Sequence, residues 1–199
     1  MRRIGGILST ATSRPVCHGE VGRSNVRASL RGARIDPTLL TIRPARPTDM
    51  DAVWSILEPT LRAGETYALP RDWSRSDSLA YWLSPDNEVF VAEDEGRVLG
   101  TYYLRANQRG GGGHVANCGY VTAPASTGRG VATAMCLHSL ERAAERGFRA
   151  MQFNFVVSTN EQAIRLWRRL GFDVIATIPQ AFEHPVLGFV DSLIMHRAL

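Results

Sequence analysis

The spacing of apolar residues predicts alternating strands and helices from residue 41 to residue 196. Apolar residues three and four positions apart, typical of helices with one buried face, occur near residues 48–57, 76–83, 130–147 and 160–170. Alternating or continuous apolar stretches predict strands at residues 41–43, 88–93, 97–105, 114–122, 150–157, 173–178 and 188–196. The resulting order, β-α-α-β-β-β-α-β-α-β-β, predicts a mixed α/β (α+β) fold.

Local signals predict where two of the helices begin. Thr48 is expected to cap the first helix, because a threonine side chain can accept a hydrogen bond from a free N–H group. Thr159 and Gln162 have the spacing of a capping box for the last helix, and Gly171 suits its C-terminal end.

The segment 122–133 predicts a strand that runs through a short glycine turn into a helix. Free N–H groups and the helix dipole favour an anion at such a helix start, and Gly128 and Gly130 would let it approach the backbone. The 23 basic residues are all arginines, so the lysine of a nucleotide triphosphate P-loop is missing. The glycine spacing also differs from that of dinucleotide-binding folds. The segment indicates a phosphate site of another class, or an ordinary turn before a helix.

The glycine turn resembles the acyl-CoA turn of the GNAT family of N-acetyltransferases, Val-x-Pro-x-x-Gln/Arg-Gly-x-Gly-x-Gly/Ala. In this chain Thr122 stands at the Val position and Thr127 at the Gln/Arg position. Gly128, Gly130 and Ala132 complete the pattern.

A second segment is similar to the family's other signature, Asn-x-x-Ala-x-x-x-Tyr-x-x-x-Gly-Phe. Asn160, Ala163, Gly171 and Phe172 match it, and Trp167 replaces the tyrosine. The order of elements is similar to that of the family throughout residues 41–199. The resemblance implies a mixed central sheet of six to seven strands flanked by about four helices.

The resemblance also implies that acetyl-CoA, without a metal, lies between strands 114–122 and 150–157. Its pyrophosphate would bind the turn, and its pantetheine arm would pair with the backbone of the first strand. The implied cofactor-binding residues are Tyr120, Val121, Thr122, Thr127, Gly128, Arg129, Gly130, Val131, Ala132, Thr133 and Asn160. Asn160 could equally be a plain helix cap.

Acetyl transfer needs a donor for the oxyanion and a route for the proton of the leaving thiol. A backbone N–H near Val121 or Thr122 could stabilise the oxyanion. Trp167 occupies the position of the family's proton-donating tyrosine, but an indole does not release its proton. The thiolate would then leave through water or without a protein acid, and Trp167 could simply belong to the core.

Two asparagines, Asn117 and Asn154, interrupt apolar strands and are assigned to the catalytic site, where they would hold a carboxylate or an amine. Together with the C-terminal segment 181–191, they resemble the branch that includes the fungal azetidine-2-carboxylate N-acetyltransferases. That branch acetylates small cyclic amino acids. The alternative is that both amides satisfy backbone groups where the two strands diverge.

Three further residues are assigned to the acceptor pocket. Glu65 and Tyr67 lie in the loop between the first two helices, which lines that pocket in the family, and Glu65 could take the proton of the amine through water. His184 lies between the last two strands and could close the pocket. Glu65 and His184 could equally be exposed loop residues.

The sequence thus favours an acetyl-CoA-dependent N-acetyltransferase that acts on a small-molecule amine, with an amino acid or a toxic analogue as the candidate acceptor. A protein N-terminus or an aminoglycoside is an alternative acceptor, and a non-catalytic acyl-CoA-binding module is an alternative function. The sequence is also compatible with a homodimer.

Charge and composition divide the chain. Residues 1–40 carry a net charge of +5 and lack hydrophobic periodicity, which predicts a disordered basic extension; a transit peptide is a second interpretation. Residues 41–199 carry −1 and are expected to form the acetyltransferase domain, with no nucleic acid as a partner. No apolar run suits a membrane span, and the three cysteines have no paired spacing, so a cytoplasmic protein is expected.

Overall fold

The computed structural model describes residues 40–199; the prediction for residues 1–40 lies outside this range apart from Leu40. The strands are β1 (Thr41–Pro44), β2 (Glu88–Asp94), β3 (Arg97–Ala106), β4 (Val115–Thr122), β5 (Ala150–Val157), β6 (Asp173–His184) and β7 (Gly188–Ala198). The α-helices are α1 (Met50–Ala63), α2 (Arg75–Trp82), α3 (Val131–Glu145) and α4 (Glu161–Arg169).

The strands form one mixed sheet in the order β1-β2-β3-β4-β5-β7-β6. Every neighbouring pair is antiparallel except β4 and β5, which are parallel. The prediction of a mixed α+β fold with a central sheet of six to seven strands and about four helices is confirmed, with seven strands and four helices observed. None of the helices within residues 40–199 is long and apolar enough to cross a membrane.

Two hydrophobic cores cover the two faces of the sheet, because successive strand residues point to opposite sides. On one face, α1 and α2 pack through Val53, Leu57 and Trp82 against Tyr103 and Val121 of the central strands. On the other face, α3 and α4 cover a second core. Its central members are Tyr102, Met135, Met151, Phe153, Trp167 and Phe172.

The start of α1 differs from the prediction. A 3₁₀ turn, Pro47–Asp49, precedes the helix, and Asp49 rather than Thr48 occupies the cap position. The Asp49 carboxylate accepts hydrogen bonds from the backbone N–H of Arg46 at 2.7 Å and from the Arg43 guanidinium at 2.7 and 2.9 Å. These charge-assisted hydrogen bonds to a buried carboxylate explain why Asp49 takes this position in place of the neighbouring threonine.

Two other predicted boundaries also differ. The cap of α4 is Asn160, whose Oδ1 accepts from the N–H of Ala163 at 3.2 Å, and not the pair Thr159 and Gln162. Strand β6 extends to His184, beyond the predicted end at residue 178, because its ladder with β7 resumes at Phe182 after a shift in register.

The parallel ladder between β4 and β5 ends almost as soon as it begins. Only Val115 and Ala116 pair with Ala150 and Met151, and the two strands then diverge. Strand β5 also contains a β-bulge between Phe153 and Val156. Phe153 pairs with Met195 and Val156 with Leu193, so β5 has one more residue than β7 in this stretch. The divergence leaves a gap in the centre of the sheet.

We expect Asp49→Ala to lower the free energy of unfolding by about 2–4 kcal/mol at pH 7, because the half-buried Arg43 loses one of its two acids. The hydrogen bonds from Arg43 lower the pKa of Asp49. This contribution is therefore complete above the unfolded pKa of about 3.9 and is lost as the pH falls through the folded pKa. Urea unfolding at pH 7 and at lower pH measures the effect, which should shrink on acidification.

The control is Asp51→Ala, which removes an exposed carboxylate that pairs with Arg75 on the surface. It should cost less than about 1 kcal/mol. If both variants lower the free energy of unfolding equally at pH 7, the pair of Arg43 and Asp49 is not important for stability.

Candidate functional site

A cleft of about 1280 Å³ opens where β4 and β5 diverge. It is lined by β3, β4 and β5, by the glycine turn and first turn of α3, by α4 and by the loop between α1 and α2. All residues predicted to bind the cofactor line this cleft: Tyr120, Val121, Thr122, Thr127, Gly128, Arg129, Gly130, Val131, Ala132, Thr133 and Asn160.

The backbone of β4 presents N–H groups to the cleft at every second residue. The N–H of Ala123 bonds to the carbonyl of Leu99 in β3. Because alternate residues of a strand bond to the same neighbour, the N–H of Val121 also points toward β3. Tyr120 and Thr122 consequently face the side from which β5 has departed. Val121 and Thr122 were the two residues predicted to stabilise the oxyanion. In this register the N–H of Thr122 faces the cleft, whereas that of Val121 faces β3.

The glycine turn at one end of the cleft is a cradle of unpaired N–H groups. Gly128 and Gly130 have φ angles of +79° and +91°, which glycine adopts without strain. The first backbone bond of α3 is made by Ala134, and no side chain caps the helix. Within residues 40–199, the N–H groups of Val131, Ala132 and Thr133 therefore have no hydrogen-bond acceptor, and they suit an anion.

Space beside the turn is open to a ligand. A Cβ placed on Gly128 or Gly130 would meet no atom within 4 Å. These glycines are therefore required for their backbone conformation and for ligand approach, and not for close packing of the protein against itself.

Trp167 packs in the core beneath the cleft. Its ring lies 5.1 Å from Phe153 and 5.2 Å from Tyr120, between centroids, and only 8% of the residue is exposed. The Tyr120 hydroxyl pairs with Ser139 Oγ at 2.6 Å, and burial raises the pKa of Tyr120 well above its usual value. Burial likewise raises the pKa of the Cys118 thiol. These three residues are therefore poor proton donors.

Tyr67 connects the loop between α1 and α2 to β4. Its hydroxyl donates to the carbonyl of Tyr120 at 3.0 Å, and its ring lines the cleft. Burial raises the pKa of Tyr67 well above the usual value, so it stays neutral. Tyr67 thus fixes the strand backbone at the end of the cleft opposite the glycine turn.

The two asparagines both line the cleft, but in different ways. Asn117 is buried, and its Nδ2 donates to the carbonyl of Gln152 at 2.8 Å, just beyond the end of the β4–β5 ladder. Asn154 is exposed; it donates to Asn107 Oδ1 at 2.5 Å and accepts from Gln152 Nε2 at 2.9 Å. The alternative interpretation was that the amides satisfy backbone groups where the strands diverge. Asn117 makes such a contact.

Glu65 and His184 lie away from the cleft. Glu65 is exposed and does not line it. His184 lies at the end of β6, where its Nδ1 accepts from the N–H groups of Val186 and Leu187 at 3.2 Å. Their assignment to the acceptor pocket therefore has no support from the geometry of the cleft.

Three aromatic or charged residues that line the cleft from α2 and β3 were not among the predicted site residues: Tyr81, Tyr103 and Arg105. The signal available for two of them was that Tyr103 and Arg105 are two residues apart on one strand and so share a face. The residues that line the cleft include three arginines, Arg105, Arg129 and Arg169, and no aspartate, glutamate or histidine. The described part of the chain contains no cluster of side chains suited to a metal ion.

Comparison with known proteins identifies relatives with this architecture. The model of the acetyltransferase (GNAT) family matches residues 50–172. A GCN5-related N-acetyltransferase from Kribbella flavida has 40% sequence identity and a TM-score of 0.79, and the match covers 82% of this chain and all of that one. A phosphinothricin acetyltransferase from Sinorhizobium meliloti, in complex with AcCoA, shares the fold at 21% identity with a TM-score of 0.72, covering 81% of this chain and 89% of that one.

Among curated proteins, the N-acetyltransferase aca1 of Schizosaccharomyces pombe is 31% identical over 114 residues. The match covers 56% of this chain and 54% of that relative. This chain spans between a third and about half of the length of the curated relatives it matches.

We expect Gly128→Asp and Gly130→Asp to weaken the binding of acetyl-CoA by at least about tenfold, because each adds a negative charge beside the N–H groups of the turn. Calorimetry with acetyl-CoA measures the dissociation constant.

Gly147→Asp is the matched control. Gly147 also has a left-handed φ, +80°, and open space around it, but it follows α3 and does not line the cleft. The control should carry a similar backbone strain and keep normal affinity. If folded Gly128 and Gly130 variants bind as tightly as Gly147→Asp, the turn is not the anion site.

Proposed function

Because the chain belongs to the acetyltransferase (GNAT) family, whose acetyl donor is acetyl-CoA, we propose that it transfers the acetyl group to the amine of a small amino acid or an amino-acid analogue. The observation that carries the choice of acceptor is the lining of the cleft, which offers amides, tyrosines and three arginines but no acidic side chain.

The lining argues against a polycationic acceptor. An aminoglycoside carries several ammonium groups, and each would enter a cleft whose charged side chains are all arginines. An amino acid carries one amine and one carboxylate, and amide and guanidinium groups can bind both. The cleft therefore favours an acceptor with an anionic group.

The residues of the cleft fit acetyl-CoA. The N–H groups at the start of α3 would hold the pyrophosphate, with Arg129 beside them in the same turn. The backbone N–H of Thr122 would pair with the peptide-like pantetheine arm in place of the absent β5 neighbour. This direction places the thioester toward Asn117 and the acceptor end.

The chemistry required of the protein is modest. The neutral amine forms a bond to the thioester carbon, its nitrogen gives up a proton to water, the carbon–sulfur bond breaks, and the thiolate leaves with the electron pair. Because the thioester lies further from the glycine turn than Thr122, the cleft-facing N–H of Tyr120 would stabilise the oxyanion as it forms. Trp167 and the buried tyrosines do not supply the proton, so the thiolate would take it from water, as thiols are already fairly acidic.

No residue that lines the cleft suits the role of general base. Asp, Glu and His are absent from the lining, and burial raises the pKa of Tyr67, of Tyr103 and of Tyr120. These hydroxyls therefore remain protonated near neutral pH. The acceptor amine must consequently arrive in its neutral form from solution.

A thiol-release assay with acetyl-CoA tests the proposed acceptor directly. The panel contains α-amino acids, including cyclic ones such as proline and azetidine-2-carboxylate, aminoglycosides and short peptides with free N-termini. We expect the highest kcat/KM for an amino acid. A clear preference for aminoglycosides or for peptides would contradict the proposal, and release of no thiol with any acceptor would favour a non-catalytic acyl-CoA-binding module.

We expect Asn154→Ala to lower kcat/KM for the amino acid by at least about tenfold, which is about 1.4 kcal/mol of transition-state stabilisation. Asn154 is exposed at the cleft, so its loss should change the melting temperature little. Steady-state kinetics and thermal melting are measured together. Gln108→Ala, on the exposed loop after β3, is the control and should leave both unchanged. A normal kcat/KM for Asn154→Ala would remove this residue from the site.

We expect log kcat/KM to rise with a slope of about one per pH unit until the pKa of the acceptor amine, because only the neutral amine reacts. Two acceptors whose amines differ in pKa should give profiles displaced by that difference. If the plateau of kcat/KM begins at the same pH for both acceptors, the protein itself supplies a general base.

A further inference from the structure

Arg105 is the cation of the cleft that lies closest to the predicted acceptor. Arg129 belongs to the glycine turn and Arg169 to the last turn of α4, whereas Arg105 lies on β3, directly opposite Asn117 in the β3–β4 register. Side chains at opposite positions of an antiparallel pair share one face of the sheet, with Cβ atoms about 4.5–5.5 Å apart. Arg105 and Asn117 are therefore neighbours on the face that carries α1 and α2.

The guanidinium of Arg105 has no carboxylate partner within residues 40–199. It is half-buried, and its Cζ lies over the ring of Tyr103, 5.2 Å from the centroid. Another partly buried arginine near a strand end, Arg43, pairs with both Asp49 and Glu93. A stacked guanidinium without an acid keeps its forked donors available for an anion.

The ring beneath Arg105 is held in a fixed position. Tyr103 lies opposite Gly119, and a Cβ at Gly119 would approach Tyr103 Cε1 to 2.6 Å. The absence of a side chain at Gly119 thus makes room for the ring. On its other side, Tyr103 packs edge-on against Trp82 with a centroid distance of 4.9 Å. The guanidinium therefore rests on a rigid support, which limits the entropy lost on binding.

The amide of Asn117 is oriented by its own hydrogen bond. Because Nδ2 donates to the carbonyl of Gln152, the amide oxygen is the atom left to interact with a ligand. Within the described part of the chain, Oδ1 accepts no hydrogen bond. An amide oxygen accepts from an amine and repels a carboxylate, so Asn117 suits the amine end of an amino acid.

We propose that Arg105 determines specificity by binding the carboxylate of the acceptor, while the Oδ1 of Asn117 accepts from its amine. The amine and the carboxylate of an α-amino acid are attached to one carbon, which matches two side chains opposite each other on neighbouring strands. This inference rests on the proposed function and deepens it. It assigns the carboxylate to a residue that the sequence did not indicate.

The test compares an α-amino acid with its carboxamide, which keeps the amine but removes the negative charge. The ratio of kcat/KM for the acid to kcat/KM for the amide is measured at one pH in the wild type, Arg105→Gln and Arg105→Lys. The amines of the two acceptors differ in pKa, but this difference is the same for every variant and cancels between ratios. Calorimetry with acetyl-CoA confirms that the variants are folded.

We expect Arg105→Gln to lower the acid-to-amide ratio by at least about tenfold, mainly through KM for the acid, with kcat/KM for the amide little changed. Arg105→Lys keeps the charge without the planar fork, so its ratio should lie between those of Arg105→Gln and the wild type. Arg109→Gln is the control, because Arg109 is exposed and outside the cleft. It should keep the wild-type ratio.

The outcomes separate the two proposals. If the wild type acetylates amino acids and Arg105→Gln keeps the wild-type ratio, or loses activity equally for acid and amide, the role of Arg105 is overturned and the proposed function stands. If the wild type acetylates no amino acid but does acetylate another amine, both are overturned.

Discussion

The early end of the parallel ladder between β4 and β5 is the constraint on which the site depends. Unpaired strand backbone inside a protein is costly unless a ligand or side chain satisfies it. Here the side chain of Asn117 bonds to Gln152 just beyond the last pair, and the rings of Tyr120, Phe153 and Trp167 pack together beneath the opening. The diverging strands are thus fixed by packing and by one side-chain hydrogen bond, and the free N–H groups of β4 line one wall of the cleft.

In the proposed function, two kinds of anion recognition lie at the two ends of this cleft. At one end, backbone N–H groups at the start of α3 are exposed by glycines in left-handed conformations, so recognition depends on the main chain. At the other end, recognition depends on side chains supported by the core of α1 and α2. Under the proposed function, the absence of acidic side chains from the lining would favour negative charge at both ends and would leave the amine to react in its neutral form.

Features determined locally could be predicted from the sequence. The glycine turn was accessible because a left-handed backbone before a helix requires glycine, and the order of elements followed from apolar periodicity. The helix caps could not be predicted, because neighbouring residues can both act as caps: Thr48 or Asp49 for α1, and Thr159 or Asn160 for α4. The position of Asp49 is decided by Arg43, whose location depends on the pairing of β1 with β2.

The acceptor end was predicted only in part, because it depends on register between strands. Asn117 and Asn154 stood out as amides in apolar strands. Arg105 did not, since an arginine near the end of a strand is common at surfaces. Its significance requires knowing that it pairs with Asn117 and that Gly119 leaves room for Tyr103. These contacts join β3 to β4 across a loop, and no local pattern encodes them.

Amide hydrogen exchange, followed by NMR with and without saturating acetyl-CoA, tests the central claim most directly. If the divergence of β4 and β5 creates the acetyl-CoA site, the N–H groups of Tyr120 and Thr122 and those of Val131, Ala132 and Thr133 should exchange more slowly in the complex. The N–H of Val121, already in the β3–β4 ladder, should change much less. Unchanged exchange at Tyr120, Thr122 and the start of α3 in the saturated protein would contradict the account.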